Sequence, residues 1–133
     1  MIALDTHALV WWASDPDRLG ARARRLVDAA LEAGDRMAAS SISVWEIAML
    51  VRAERLALTM DLDSWLSNLE AIPVLDFVPV DNRIAMRAVH LDGFPHRDPA
   101  DRIIAATAMS LGATLVTADE RLLAYKPLRT AWK

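Results

Sequence analysis

The stretch DPADRIIAATAMSLGATLVTAD, residues 98–119, decides the fold. It opens with an acid before Pro99, runs through an apolar segment to Leu111, and stops at Gly112. Proline suits the first helical position and glycine the residue just past a helix end, so the spacing predicts a helix over 98–111. ATLVTAD then reads as a short apolar strand that ends at Asp119. A helix feeding a strand without polar alternation points to a parallel sheet buried on both faces.

The rest of the chain repeats that unit. MIALDT, residues 1–6, reads as an opening strand that ends at Asp5, and DRMAAS (35–40), VLDFVPV (74–80) and LRTAW (128–132) as three further extended segments. Between them, Leu19, Ala23, Leu26, Val27, Ala30 and Leu31 recur at helical spacing from about Arg18 to Ala33, with Gly34 as the stop. SVWEIAMLVRAERL (43–56) is a helix that opens with Ser43 and Glu46 in the Ser-x-x-Glu capping pattern. Helices are also predicted over 61–71, 81–90 and ERLLAY (120–125), and LDGFPHR (91–97) is a loop. The expectation is a single α/β domain over residues 1–133, a three-layer α/β/α sandwich around a short, mostly parallel sheet.

Composition narrows the function. The chain has 133 residues, a net charge of −3 and no cysteine, which removes disulfides, thiolate zinc sites and cysteine nucleophiles. No global basic field recruits nucleic acid, although a local basic groove is compatible with that total. Asp5 and His7 interrupt the N-terminus before a signal-length apolar run, and Ile103 to Ala118 is too short to span a bilayer. The reading is a soluble, cytoplasmic protein without a membrane segment.

In parallel α/β sheets, sites form in the crevice beyond the carboxyl ends of the strands. Asp5 and Asp119 fall at such ends, and Glu46 and Asp101 fall near the starts of helices that border the same edge. Each acid has a plain alternative as a helix cap, because free N–H groups and the macrodipole favour anions there. Asp98 before Pro99 fits that role well, Asp101 could be the third-position partner of that cap, and Glu46 the partner of Ser43. Asp5 interrupts an apolar strand at its end, with no helix-capping role assured. Four carboxylates crowded together would raise one another's pKa unless a cation compensated. Mg²⁺ or Mn²⁺ suits an oxygen-only donor set, and no His or Cys spacing suits zinc.

With these segments in place, the whole chain resembles the PIN-domain ribonucleases, specifically the VapC toxins of bacterial VapBC toxin–antitoxin pairs. The resemblance is carried by MIALDTHALVWW (1–12), SSISVWEIAML (40–50), HRDPADRIIAATA (96–108) and LVTADERL (115–122), in that order. It implies that Asp5, Glu46, Asp101 and Asp119 form an acidic metal site, with Asp101-Arg102-Ile103-Ile104 running into AATA as the family pattern has it. Asp98 would be an additional ligand, one acting through water, or a cap only. Thr6, Ser43 and Thr117 become candidates for holding ligand carboxylates or water, each with a backbone-capping alternative.

The implied activity is Mg²⁺-dependent hydrolysis of RNA phosphodiester bonds by a metal-activated water. Arg97, Arg102 and His96 flank the site and could hold RNA phosphates, or pair with neighbouring carboxylates. Arg18, Arg22 and Arg25 read as one solvated helix face. Trp11, Trp12, Trp45 and Trp65 sit in apolar helical contexts and are expected in core or subunit packing. The resemblance implies a homodimer and a small VapB-type antitoxin that covers the acids. Two other classes remain open: a receiver-like phosphoacceptor, which would want a paired acid near the first strand and a lysine after the last, where this chain offers a lone Asp5 and a Lys126 off the expected strand end, and a non-catalytic interaction domain whose acids are caps.

Overall fold

The structure, a computed structural model, describes residues 1–95 and 97–133. Five strands, β1 (Ile2–Leu4), β2 (Met37–Ser40), β3 (Leu75–Val78), β4 (Thr114–Val116) and β5 (Thr130–Ala131), form one sheet in the order β3-β2-β1-β4-β5. All four pairings are parallel, with Ile2 opposite both Met37 and Thr114, and Leu4 opposite both Ala39 and Val116. Parallel neighbours need long crossovers, and helices supply them.

Seven α-helices are described: α1 (Thr6–Ser14), α2 (Ala21–Ala33), α3 (Ser41–Arg52), α4 (Leu62–Glu70), α5 (Asn82–Val89), α6 (Pro99–Leu111) and α7 (Glu120–Ala124). Alternate residues of a strand face opposite sides, and the core divides accordingly. Ile2, Leu4, Met37 and Ala39 pack with Leu9 of α1, Val27 of α2, Ile47 of α3 and Trp65 of α4. Ala3, Ala38 and Leu115 pack on the other face with Ile104, Ala105 and Ala108 of α6 and with Leu122 of α7. Ala105 and Ala108, the sheet-facing residues of AATA, are fully buried there. Helix α5 covers α6 through Ile84, Ala88 and Ala106. The result is the three-layer α/β/α arrangement that the sequence predicts.

Helix ends follow local chemistry. Gly34 and Gly112 close α2 and α6 with φ of 69° and 62°, the left-handed region where glycine carries no Cβ penalty. Asp98 caps α6 by accepting from the Ala100 N–H at 2.9 Å.

Three local expectations change. The first helix begins directly after β1 as α1, with Asp5 as its N-cap, so Asp5 does have a helix to cap. Arg18 lies in a separate 3-10 turn, Pro16–Arg18, with its guanidinium 4.3 Å from the centre of the Trp11 ring, and so leaves the face expected to hold Arg22 and Arg25. Helix α3 is capped by Ser40, whose hydroxyl accepts from the Ile42 N–H at 3.1 Å. Ser40 is the extended last residue of β2, so the helix starts at once and Ser43 falls inside it, fully buried. The Ser43–Glu46 capping box therefore does not form. Trp45 is 56% exposed and outside the core, whereas Trp65 is buried.

Candidate active site

Because every strand runs the same way, the residues that follow β1, β2 and β4 share one edge of the sheet. The chain turns to β2 on one side of β1 and returns to β4 on the other, which leaves a crevice at the β1/β4 switch point. A cleft of about 270 Å³ lies there, lined by Asp5, Thr6, His7, Glu46, Asp101 and Asp119. Val10, Trp11, Leu50 and Leu56 form its apolar wall. The four acids are separated by up to 114 positions of chain, and packing alone brings them together.

Asp5 is 4% exposed, and both of its oxygens are engaged. Oδ1 accepts the Thr6 N–H at 2.8 Å, and Oδ2 accepts the Thr117 hydroxyl at 2.7 Å. The Thr6 hydroxyl donates to Glu46 Oε1 at 2.6 Å and lies 2.8 Å from the Ser43 hydroxyl, which can donate to it in turn. The hydroxyls of Thr6, Ser43 and Thr117 thus form a buried layer behind the carboxylates. Thr117 also accepts from the Asp119 N–H at 3.0 Å, so one side chain bridges the two strand-end acids. Asp119 caps α7, its Oδ1 accepting from the N–H groups of Arg121 and Leu122.

Capping accounts for Asp5, Asp98 and Asp119 in part, but not for Glu46. Glu46 lies within α3, and Asp101 is the third residue of a helix whose cap is Asp98. Burial pushes the Glu46 carboxyl above its ordinary range; the Thr6 hydroxyl opposes that, and the negative charges of Asp5 and Asp98 add to it.

The donor set is one for a hard cation: carboxylates and hydroxyls, with no Lys or Arg among the residues that line the cleft. Among the described residues, no three His, Asp or Glu side chains form a cage that could hold a metal ion. Mg²⁺ keeps several of its waters and takes only one or two direct carboxylates, so these residues fit it without such a cage.

Other candidates lie elsewhere. Asp98 lines a neighbouring apolar groove with Ile42, Trp45, Pro79, Val80 and Pro99. Arg102 donates to the Ala88 carbonyl at 2.9 Å and lies over the Phe94 ring, which makes it a brace between α5 and α6. Arg97 is exposed and borders a shallow depression with Arg102 and Val89. Neither arginine lines the acidic cleft, and His96 lies outside the described residues.

Sequence reasoning missed His7. It lines the cleft, its Nε2 lies 2.8 Å from the Ala118 N–H, and its Nδ1 lies 3.6 Å from Asp5 Oδ2. The available signal was its place two residues after the strand-end acid; its partner is 111 positions away.

Comparison with known proteins agrees with this fold. The profile of the PIN domain matches residues 2–126. "Ribonuclease VapC22" of Mycobacterium tuberculosis (strain ATCC 25618 / H37Rv) is 37% identical over 134 residues, covering 98% of each chain. Two solved structures share the fold. One is the crystal structure of VapBC2 from Rickettsia felis bound to a DNA fragment from their promoter, with a TM-score of 0.71 and 20% identity over all of both chains. The other is DNA-bound VapBC from Salmonella typhimurium, with a TM-score of 0.66 and 22% identity over 98% of each.

Proposed function

This chain belongs to the PIN-domain family as a VapC-type member, and on that footing we propose that it is a magnesium-dependent endoribonuclease, the toxin of a toxin–antitoxin pair. The observation that carries this reading is the meeting of Asp5, Glu46, Asp101 and Asp119 in one cleft at the carboxyl edge of the sheet.

Asp5 and Asp101 are the residues that would hold the ion, with Glu46 and Asp119 completing its surroundings. When bound there, Mg²⁺ or Mn²⁺ supplies an activated water and charge stabilisation for hydrolysis of a backbone P–O bond. Glu46, with its proton affinity raised by burial, is suited to take a proton from the attacking water. Thr6 holds Glu46 by one oxygen, and Thr117 fixes Asp5 and the Asp119 backbone relative to each other. Arg97, exposed beside the Asp98 cap, is the side chain we assign to an RNA phosphate.

A small VapB-type antitoxin would cover the cleft, and a homodimer is the expected assembly. Support for covered surfaces comes from α3, where Trp45 and Met49 are 56% and 51% exposed. No helix among the described residues is long and apolar enough to cross a membrane, and we place the activity in the cytoplasm, with the RNA. The receiver-like alternative finds no support in the cleft, since Lys126 is not among its lining residues.

The test is brief induction of the wild type and of Asp5→Asn in a bacterial host, followed by sequencing of RNA ends. Recurrent new ends with the wild type alone are expected. Equal ends from both proteins would place the activity elsewhere.

A further inference from the structure

We propose that His7 is a positioning residue of the acidic cleft: its imidazole fastens the Asp119 loop to the Asp5 turn and is held in place by Trp11 and Trp132. The inference rests on the ribonuclease reading for its consequence in catalysis, but its geometry stands independently.

A backbone N–H can only donate, so His7 Nε2 must accept from Ala118 through its lone pair, and the ring proton resides on Nδ1. His7 Nδ1 lies 3.6 Å from Asp5 Oδ2, too far for a direct hydrogen bond. Ala118 lies between two residues already tied to the same turn. Thr117 donates to Asp5, and the Asp119 N–H donates back to Thr117. Without Nε2, the middle link of the loop loses its partner in the turn.

The ring is oriented by aromatic packing. Trp11 lies 5.0 Å from it, tilted by 57°, and Trp132 lies 5.8 Å away, nearly edge-on at 73°. Trp11 and Trp132 also meet each other at 5.6 Å, and the Arg18 guanidinium lies over Trp11. Trp132 is itself anchored, because its carbonyl accepts the Ala23 N–H at 3.0 Å. It passes so close to Gly20 that a Cβ there would sit 2.0 Å from that carbonyl oxygen. One tryptophan of its own helix and one from the far end of the fold therefore hold an imidazole that itself joins two acid-bearing segments.

The test uses the full chain with three substitutions. His7→Phe keeps the ring packing and removes the acceptor; His7→Asn ends at the Nδ1 position and leaves Ala118 unmet; His7→Gln can place Oε1 where Nε2 stands. The readouts are hydrogen exchange of the Ala118 amide without metal, Mn²⁺ affinity by electron paramagnetic resonance, and kcat and KM on RNA. Phe and Asn should accelerate Ala118 exchange and lower Mn²⁺ affinity and kcat by about 10–100-fold, the usual effect of losing a residue that orients a ligand, with KM little changed. Gln should restore most of each. Wild-type exchange and Mn²⁺ affinity in whichever of Phe and Asn folds, or a Gln variant no better than the others, would overturn the proposal. A wild type that cleaves no RNA would defeat the ribonuclease reading instead, leaving His7 to be judged by the exchange rate.

Discussion

The Thr117 hydroxyl donates to the buried carboxylate of Asp5 at 2.7 Å, across 112 positions of chain. It joins the end of β4 to the end of β1 at the switch point of the sheet. Hydrogen bonds to a charged group contribute about 1.5–3 kcal/mol, and this one also sets the orientation of a proposed ligand. Thr117→Val keeps the volume and removes the donor. Urea unfolding should show a loss of about 2 kcal/mol, with RNA cleavage reduced. An unchanged midpoint would mean that Asp5 is held by other groups.

Glu46 makes stability depend on pH in a direction unusual for a carboxylate. Its folded form holds the proton more tightly than the unfolded chain, chiefly because of burial. The folded state therefore binds more protons than the unfolded state over that window, and stability falls as pH rises from the ordinary value of 4.5 through the raised one. Glu46→Gln removes the slope. In EDTA, the wild-type Tm should decline relative to Gln as the pH increases over that interval; parallel curves would refute the linkage.

Asp98 and Asp101 share a helix turn but have separable jobs. Asp98→Ala should cost about 1 kcal/mol through the lost cap, while Asp98→Asn, an equally good cap, should not. Cleavage should persist in both, because Asp98 lies outside the cleft lining. Loss of cleavage with the fold intact in Asp98→Asn would make Asp98 part of the site.

Gly20 is fixed by the approach of Trp132 rather than by its own backbone. Gly20→Ala places a Cβ 2.0 Å from the Trp132 carbonyl oxygen, so the C-terminal segment must shift. Overpacking of this kind costs about 1–3 kcal/mol, measurable by thermal unfolding, with a changed tryptophan emission as Trp132 moves. A wild-type Tm and spectrum would show that the segment accommodates the methyl group.

The layers and the acids were legible because they rest on local signals. Apolar runs without alternation marked the strands, and Pro99 and Gly112 bracketed α6. The acids stood out because they end or border those elements. Where helices begin was harder to read. Ser40 and Ser43 are both capping residues, and only the end of β2 at Ser40 decides between them. Helix α1 starts without any intervening loop, so Asp5 looked like a strand end alone. His7, Trp132 and Arg102 depend on partners distant in sequence or on a backbone carbonyl, which no spacing rule encodes.

The most direct measurement is cleavage of labelled RNA by purified protein, stripped with EDTA and titrated with Mg²⁺ or Mn²⁺. The wild type should be inactive when stripped and recover with the added ion. The Asp5→Asn/Asp101→Asn protein, shown folded by circular dichroism, should stay inactive at every metal concentration. Cleavage by the stripped wild type, or by the double variant, would contradict a metal-dependent site built on these acids.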